Sequence, residues 1–201
     1  MRIITLSREF GSGGREVGKR LADELGFNYY DREIITGIAK DTALDEKFVA
    51  HALEKGVNLY PLHYGVTFTI PAVNREVIDV MVAQQKIIKE LASKGDCVIV
   101  GRSADVILAD EKPYNIFVYA DMEAKIARCK LRDGAEGLTD KEIKRRITEI
   151  DKGRMDSRAM FTSARWGDKL CYNVMLNTTN ADIKALIKPL SELALSYFTK
   201  K

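Results

Sequence analysis

Between Arg2 and Leu25 the chain reads RIITLSREFGSGGREVGKRLADEL, an apolar run that meets a glycine cluster and passes at once into a helical pattern. RIITL has the character of a buried strand, and Val17, Leu21 and Leu25 then share one helical face before Gly26 stops the pattern. Strand, glycine loop and helix in direct succession form an anion cup. Successive backbone N–H groups line such a loop, and the helix start adds its positive dipole. Gly11, Gly13 and Gly14 are expected to supply the positive-φ freedom and the close approach that the cup needs. A tight strand-to-helix turn with no ligand is the simpler reading of GSGG alone. The flanking Arg8 and Arg15 favour phosphate over that reading.

The loop departs from the pattern G-x-x-x-x-G-K-[ST], whose Lys reaches the terminal phosphates of ATP. With Gly14 in the Lys place, Arg8 stands at the first Gly. With Arg15 in the Lys place, Glu9 stands at the first Gly and Glu16 replaces the Ser or Thr that holds magnesium. Neither register satisfies the motif. A guanidinium can still neutralise phosphate, because its planar fork binds oxygens in pairs. Gly11, Ser12, Gly13, Gly14, Arg15 and Glu16 are therefore the expected ATP-phosphate stretch, with Arg15 as its cation.

Beyond the loop, strand-like runs alternate with helical patterns, which predicts an α/β fold with a mainly parallel sheet. A short FNYY precedes a helix from Asp31 to about Lys40. Residues 56–74, aromatic and holding two prolines, read as an irregular insertion. A long helix is predicted from about Arg75 to Lys94, then two buried strands in CVIVG and NIFVYA, continuous in apolar character as parallel sheets require. A helix from about Met122 to Arg132 is followed by another that starts at Thr139, because TDKE has the capping-box form. YNVMLNT is the last strand, and an amphipathic helix closes the chain.

The 201 residues suit one domain, and a net charge of +3 is too small to indicate a nucleic-acid polymer as partner. Cys97, Cys129 and Cys171 are odd in number and far apart, which predicts reduced thiols rather than a disulfide framework or thiolate metal site. The first apolar run meets Arg8 and Glu9 too soon for a secretory core, and no stretch approaches the ~20 apolar residues of a membrane span. A cytoplasmic protein without membrane contact is expected.

Several segments together resemble the cytidylate kinase-like proteins of the P-loop nucleoside monophosphate kinase group. IITLSREFGSGGREVGKRLADELGFNYYDREII resembles their first strand, loop, helix and Asp-bearing second strand end. VIVGRSADVIL resembles their G-R-D segment, YNIFVYADMEAKIARCKLRD the next strand and Arg-bearing helix, RRITEIDKGRMDSR the lid with its D-x-x-R pair, and NVMLNTT the closing strand. The resemblance implies a P-loop NTPase-like three-layer fold over residues 1–201. Its sheet has five parallel strands, with a helical monophosphate-binding insert over about 40–94 and a helical lid over about 133–160. It implies transfer of the γ-phosphoryl group of ATP to CMP or dCMP with Mg²⁺, and small nucleotides as partners. By position Arg102 matches the G-R-D arginine, Arg128 an arginine at the lid base, and Asp151 with Arg154 the D-x-x-R pair. The chain departs from the family at four places. The loop Lys is absent, Ser103 stands for the Asp of G-R-D, YYDREI lacks the Ser after its Asp, and Ile147 stands for an upstream lid arginine.

The residues themselves give the same chemistry a basis, since phosphoryl transfer asks a protein mainly for positioning and positive charge. After the apolar stripe Ile143, Ile147 and Ile150, the same helical side carries Asp151, Arg154 and Arg158, so it leaves the core and meets something charged. An ordinary Asp–Arg pair is the alternative. Arg15, Arg128 and Arg154 are the expected catalytic cations, and Asp31, Arg75, Arg102, Asp151 and Arg154 the expected acceptor contacts. Arg128 and Arg132 would otherwise be a solvated face, and Arg145 and Arg146 mobile lid charges. Tyr60, His63, Tyr64 and Phe68 could stack on a base or simply pack a small subdomain. Trp166 reads as packing, and neither His51 nor His63 has a metal partner in the sequence. No metal ligand is assigned. Two rival functions share the motifs: a kinase with a different small acceptor, and a non-catalytic nucleotide- or anion-binding protein.

Overall fold

The computed structural model describes residues 1–55, 75–131 and 137–199. Within them the order is β1 (Ile3–Arg8), α1 (Gly14–Leu25), β2 (Asn28–Tyr30), α2 (Arg32–Thr42), α3 (Glu46–Lys55), α4 (Arg75–Ser93), β3 (Cys97–Val100), α5 (Ala104–Ile107), β4 (Tyr114–Tyr119), α6 (Met122–Lys130), α7 (Asp140–Ala159), β5 (Val174–Asn177) and α8 (Ile183–Thr199). The predicted insertion, with Tyr60, His63, Tyr64 and Phe68, lies outside the described residues, as does Arg132.

The strands form one parallel sheet in the order β2-β3-β1-β4-β5, which bears out the predicted α/β architecture. Alternation along the central strands divides the core between two faces. Ile4 and Leu6, aligned with Val98 and Val100 of β3, bury against Val17 and Leu21 of α1 and Ile187 and Leu190 of α8. Ile3, Cys97 and Ile99 point the other way, into a second core with Ile34 and Ile38 of α2 and Val80 and Ile88 of α4. Covered on both faces, the strands read as continuous apolar runs, and the sheet is the middle of three layers. Among the described residues no helix is long and apolar enough to cross a membrane.

Two differences from the sequence expectation bear on the site. Strand β1 runs to Arg8, which pairs with Val118, so Arg8 leaves the sheet rather than the loop. The sequence also hid α3, whose start is capped by Asp45: its carboxylate accepts from the N–H groups of Lys47 (2.9 Å) and Phe48 (3.3 Å), and Val49 and Leu53 bury one face. That signal, an Asp before a helical apolar spacing, was present in DEKFVAHALEK.

Helix α7 begins where the capping box places it. The Glu142 carboxylate accepts from the Thr139 N–H at 2.8 Å, and Thr139 Oγ1 accepts from the Glu142 N–H at 3.4 Å. Replacing Thr139 by Ala should therefore cost about 1 kcal/mol, lowering Tm by about 2–4 °C for a chain of this size. Thermal unfolding followed by circular dichroism checks this. An unchanged melting curve would mean that the start of α7 is held by other contacts.

Candidate active site

The C-terminal ends of parallel strands are where open α/β sheets bind ligands, because the loops leaving them converge there. Here β1 delivers Arg8, β2 delivers Asp31 and β3 delivers Gly101, Arg102 and Ser103. Gly101 has φ +73°, Arg102 +56° and Ser103 +52°. Two consecutive non-glycine residues in the left-handed region cost of the order of 1–3 kcal/mol each. The turn is held by Gln84, a 1% exposed residue of α4, whose Nε2 donates to the Arg102 carbonyl at 2.7 Å. Arg8, Arg102, Arg154 and Arg158 line a cavity of about 40 Å³ with Ser103 and Trp166. One water needs about 10–15 Å³, so the space exceeds a single water.

The cations there are crowded. Burial lowers the pKa of the Arg8 guanidinium well below its ordinary value, and Arg154 and Arg102 push it in the same direction, against the pull of Asp31. Asp31 is itself 4% exposed. It forms an ion pair with Arg15, Nε to Oδ2 at 2.6 Å, and faces Arg8 NH2 only at 3.7 Å.

The glycine loop is clamped from the side of α6 and α7. The Asp151 carboxylate accepts from the Phe10 N–H at 2.7 Å, and Arg154 NH1 donates to the Arg8 carbonyl at 2.8 Å and to Asp151 at 3.3 Å. Burial raises the Asp151 pKa despite the Phe10 N–H and the charges of Arg154 and Lys125. Lys125 Nζ donates to Glu9 at 2.9 Å and faces Asp151 at 3.7 Å. Just beyond β5, the buried Thr178 hydroxyl donates to the Ser12 carbonyl at 2.7 Å. Gly13, at φ +82°, precedes the first helical residue, and the first i→i−4 bond of α1 is Val17 N–H to Gly13 O at 3.0 Å. The N–H groups of the first turn thus precede the helical ladder, as at any helix start.

The sequence-derived candidates separate spatially. Arg102 and Arg154 meet at the cavity, with Asp31 and Asp151 alongside. Arg15 does not enter it: its side chain is 63% exposed and turns to Asp31. Arg128 donates to the carbonyl and hydroxyl of Thr178, behind the loop. Arg75 opens α4 on the exposed surface and is not among the residues lining the cavity. Arg158 also lines the cavity, but it is 4% exposed and ion-paired with the buried Asp105 of α5, a partner the α7 stripe did not reveal. Trp166 packs edge-on against Phe117, with ring centroids 5.1 Å apart. Arg8, Glu9, Lys125, Gln84 and Thr178 take part in the site without having been assigned to it from sequence. Only Arg8 carried a signal, as a cation at the end of the strand.

Among the described residues no group of three or more His, Cys, Asp or Glu side chains could hold a metal ion. The Ser12 hydroxyl donates to Glu9 O at 2.8 Å and Glu16 pairs with Arg20. These donors do not form a protein-built magnesium site.

A five-stranded parallel sheet in this order, with a glycine loop leaving β1 for α1, is the three-layer fold of P-loop kinases. The chain belongs to the cytidylate kinase-like family, which it matches over residues 3–180. An uncharacterized protein from Eubacterium ventriosum ATCC 27560 has a similar structure, at TM-score 0.71 and 24% identity over 98% of this chain and 99% of that one. Shikimate kinase from Bacteroides thetaiotaomicron follows at TM-score 0.57 and 16% identity, over 96% and 97%. Shikimate kinase from Acinetobacter baumannii, in complex with shikimate, gives 0.56 and 16%, over 98% and 94%. At these identities the likeness is one of fold. No curated protein matches the sequence.

The two kinds of ion pair make different demands. Arg158→Met leaves the Asp105 carboxylate buried without its partner and should destabilise the protein by about 3–5 kcal/mol. Arg15→Ala breaks a pair whose arginine is largely solvated and should cost about 1 kcal/mol or less. Urea unfolding of both variants checks the contrast, and equal losses would contradict it.

Proposed function

We infer that this protein is an ATP-dependent phosphotransferase whose acceptor is a nucleoside monophosphate, with CMP and dCMP first. The observation that carries the reading is the arginine-lined cavity beside the glycine loop, in a chain of a kinase-like family. Phosphoryl transfer spreads negative charge over the equatorial oxygens, and preorganised cations stabilise it most where water is excluded. On this reading the ATP phosphates lie along Gly11–Glu16, with the first turn of α1 supplying N–H donors. Arg102 and Arg154 clamp the transferring group and the acceptor phosphate. Asp151 orients Arg154 and the loop together, through its contacts with Phe10 and the guanidinium. Magnesium enters as part of the MgATP substrate.

Residues of about 40–94 would form the acceptor-binding insert and about 133–160 the lid, within a single domain. Closure of the lid would exclude water, because hydrolysis of ATP competes with transfer. Arg75, at the head of α4, would then reach the acceptor from the insert. Arg15 and Arg128 would serve the loop from outside the cavity, through Asp31 and Thr178.

A second reading keeps the kinase and changes the acceptor to another small molecule. It is favoured by Ser103, which lines the cavity where the resemblance would place an Asp.

Incubation with MgATP and CMP, dCMP, UMP, AMP or GMP, followed by chromatography of the products, tests the proposal. CMP or dCMP should be converted fastest. Arg154→Ala should lower turnover by about 100-fold or more, as loss of a transition-state donor does, and turnover within a few-fold of wild type would remove Arg154 from the clamp. Conversion of none of the monophosphates, with ATP binding intact, would overturn the nucleotide acceptor.

A further inference from the structure

The two registers of the loop are distinguished by where side chains occupy space. In the register with Gly14 at the Lys place, the last Gly of the pattern is Gly13, whose φ of +82° suits that glycine. Gly14 itself is helical, so its backbone does not require a glycine. What excludes a side chain there is Arg8: a Cβ on Gly14 would lie 2.5 Å from Arg8 Cβ and 2.9 Å from Arg8 Cγ. Contacts under 3.0 Å force something to shift, and the nearer atom is rooted in strand β1. Further along, a Cβ on Gly101 would fall 1.6 Å from Arg8 NH1. A single arginine thus fills the side-chain space of two glycines, crossing from the head of α1 to the end of β3.

We propose that Arg8 is the phosphate-chain cation of this loop, having exchanged places with the motif lysine: the cation sits at the first position of the pattern and the glycine at the last. This inference rests on the phosphotransferase reading above and names the residue that grips the triphosphate in it. The side chain begins beside the head of α1, where a lysine at position 14 would begin, and ends in the cavity with Arg102 and Arg154. Asp31 is the carboxylate facing it, at 3.7 Å, and that carboxylate makes its close ion pair with Arg15 instead. The Arg8 guanidinium is therefore placed to turn from Asp31 to an incoming phosphate. The cost of holding it near Arg154 and Arg102 is relieved when a phosphate arrives, since an anion among clustered cations lowers the energy of each. Arg15 then has a distinct task, occupying Asp31 so that it does not neutralise Arg8.

Exchange makes a prediction that a merely structural arginine does not. Binding of ATP and of inorganic tripolyphosphate is measured by calorimetry on folded wild type, Arg8→Gly, Arg8→Gln, Arg8→Lys, Gly14→Lys and the double variant R8G/G14K. Tripolyphosphate isolates the phosphate chain from the base. Arg8→Gly and Arg8→Gln should weaken both ligands by roughly 30-fold or more, as removal of a close charge partner does. Gly14→Lys alone should melt at lower temperature, because its Cβ collides with Arg8. The double variant rebuilds G-x-x-x-x-G-K and should bind both ligands within about tenfold of wild type. Arg8→Lys gives an independent check that needs no rebuilt loop, and it should retain more affinity than Arg8→Gln. Wild-type affinity in Arg8→Gln overturns the proposal. So does a folded double variant that binds no better than Arg8→Gly. Binding that follows these rules without transfer to any acceptor would sink the kinase reading and leave the role of Arg8 standing. Absence of triphosphate binding in wild type would overturn both.

Discussion

Parallel strands bring their C-terminal ends to one edge of a sheet, and in this protein four arginines line a cavity there, with the buried Asp31 beside it. Like charges so placed repel, and burial removes the water that would screen them. Much of the surrounding structure fixes these groups in place. Arg15 engages Asp31, Asp151 engages Arg154 and the loop, and Gln84 fastens the left-handed turn that carries Arg102. The crowding is also what suits the site to an anion, because each cation gains when a phosphate enters.

The clamp on the loop follows from the same layout. Asp151 and Arg154 come from the middle of a 20-residue helix whose start is capped and whose first turns bury Ile143 and Ile147. A helix so anchored presents its next turns at a fixed height over the loop. Lys125 from α6 and Thr178 from beyond β5 close the other sides, at 2.9 Å to Glu9 and 2.7 Å to the Ser12 carbonyl. The loop is thus held by three separate elements, through its backbone by α7 and Thr178 and through the Glu9 carboxylate by α6. Such support is what preorganised donors need in order to act without rearrangement.

Much of this was legible beforehand. Apolar runs and helical spacing marked the strands and most helices, because burial on both sheet faces leaves a strong periodic record. TDKE marked the start of α7, because a capping box is a local interaction between residues three apart. Arg102 and Arg154 were legible as candidates by their place at a strand end and on an ionic helix face. Arg158 was not separable from Arg154 by spacing, since both lie on the same side of α7. Its partner Asp105 lies 53 positions away, so no local spacing marks Arg158 as half of a buried ion pair. Arg15 looked like the loop cation because it follows the glycines directly, whereas its side chain leaves the helix toward Asp31.

The sequence by itself determined the α/β class with a mainly parallel sheet, the order of most of its strands and helices, and the presence of a glycine loop between the first of each. These depend on periodicity and on neighbours within a few residues. Only the tertiary structure decided which arginines converge, which are spent in structural pairs, and why position 14 is a glycine. Each of those depends on side chains far apart in the chain competing for one volume, as Arg8 does above Gly14 and Gly101. No local pattern records that competition.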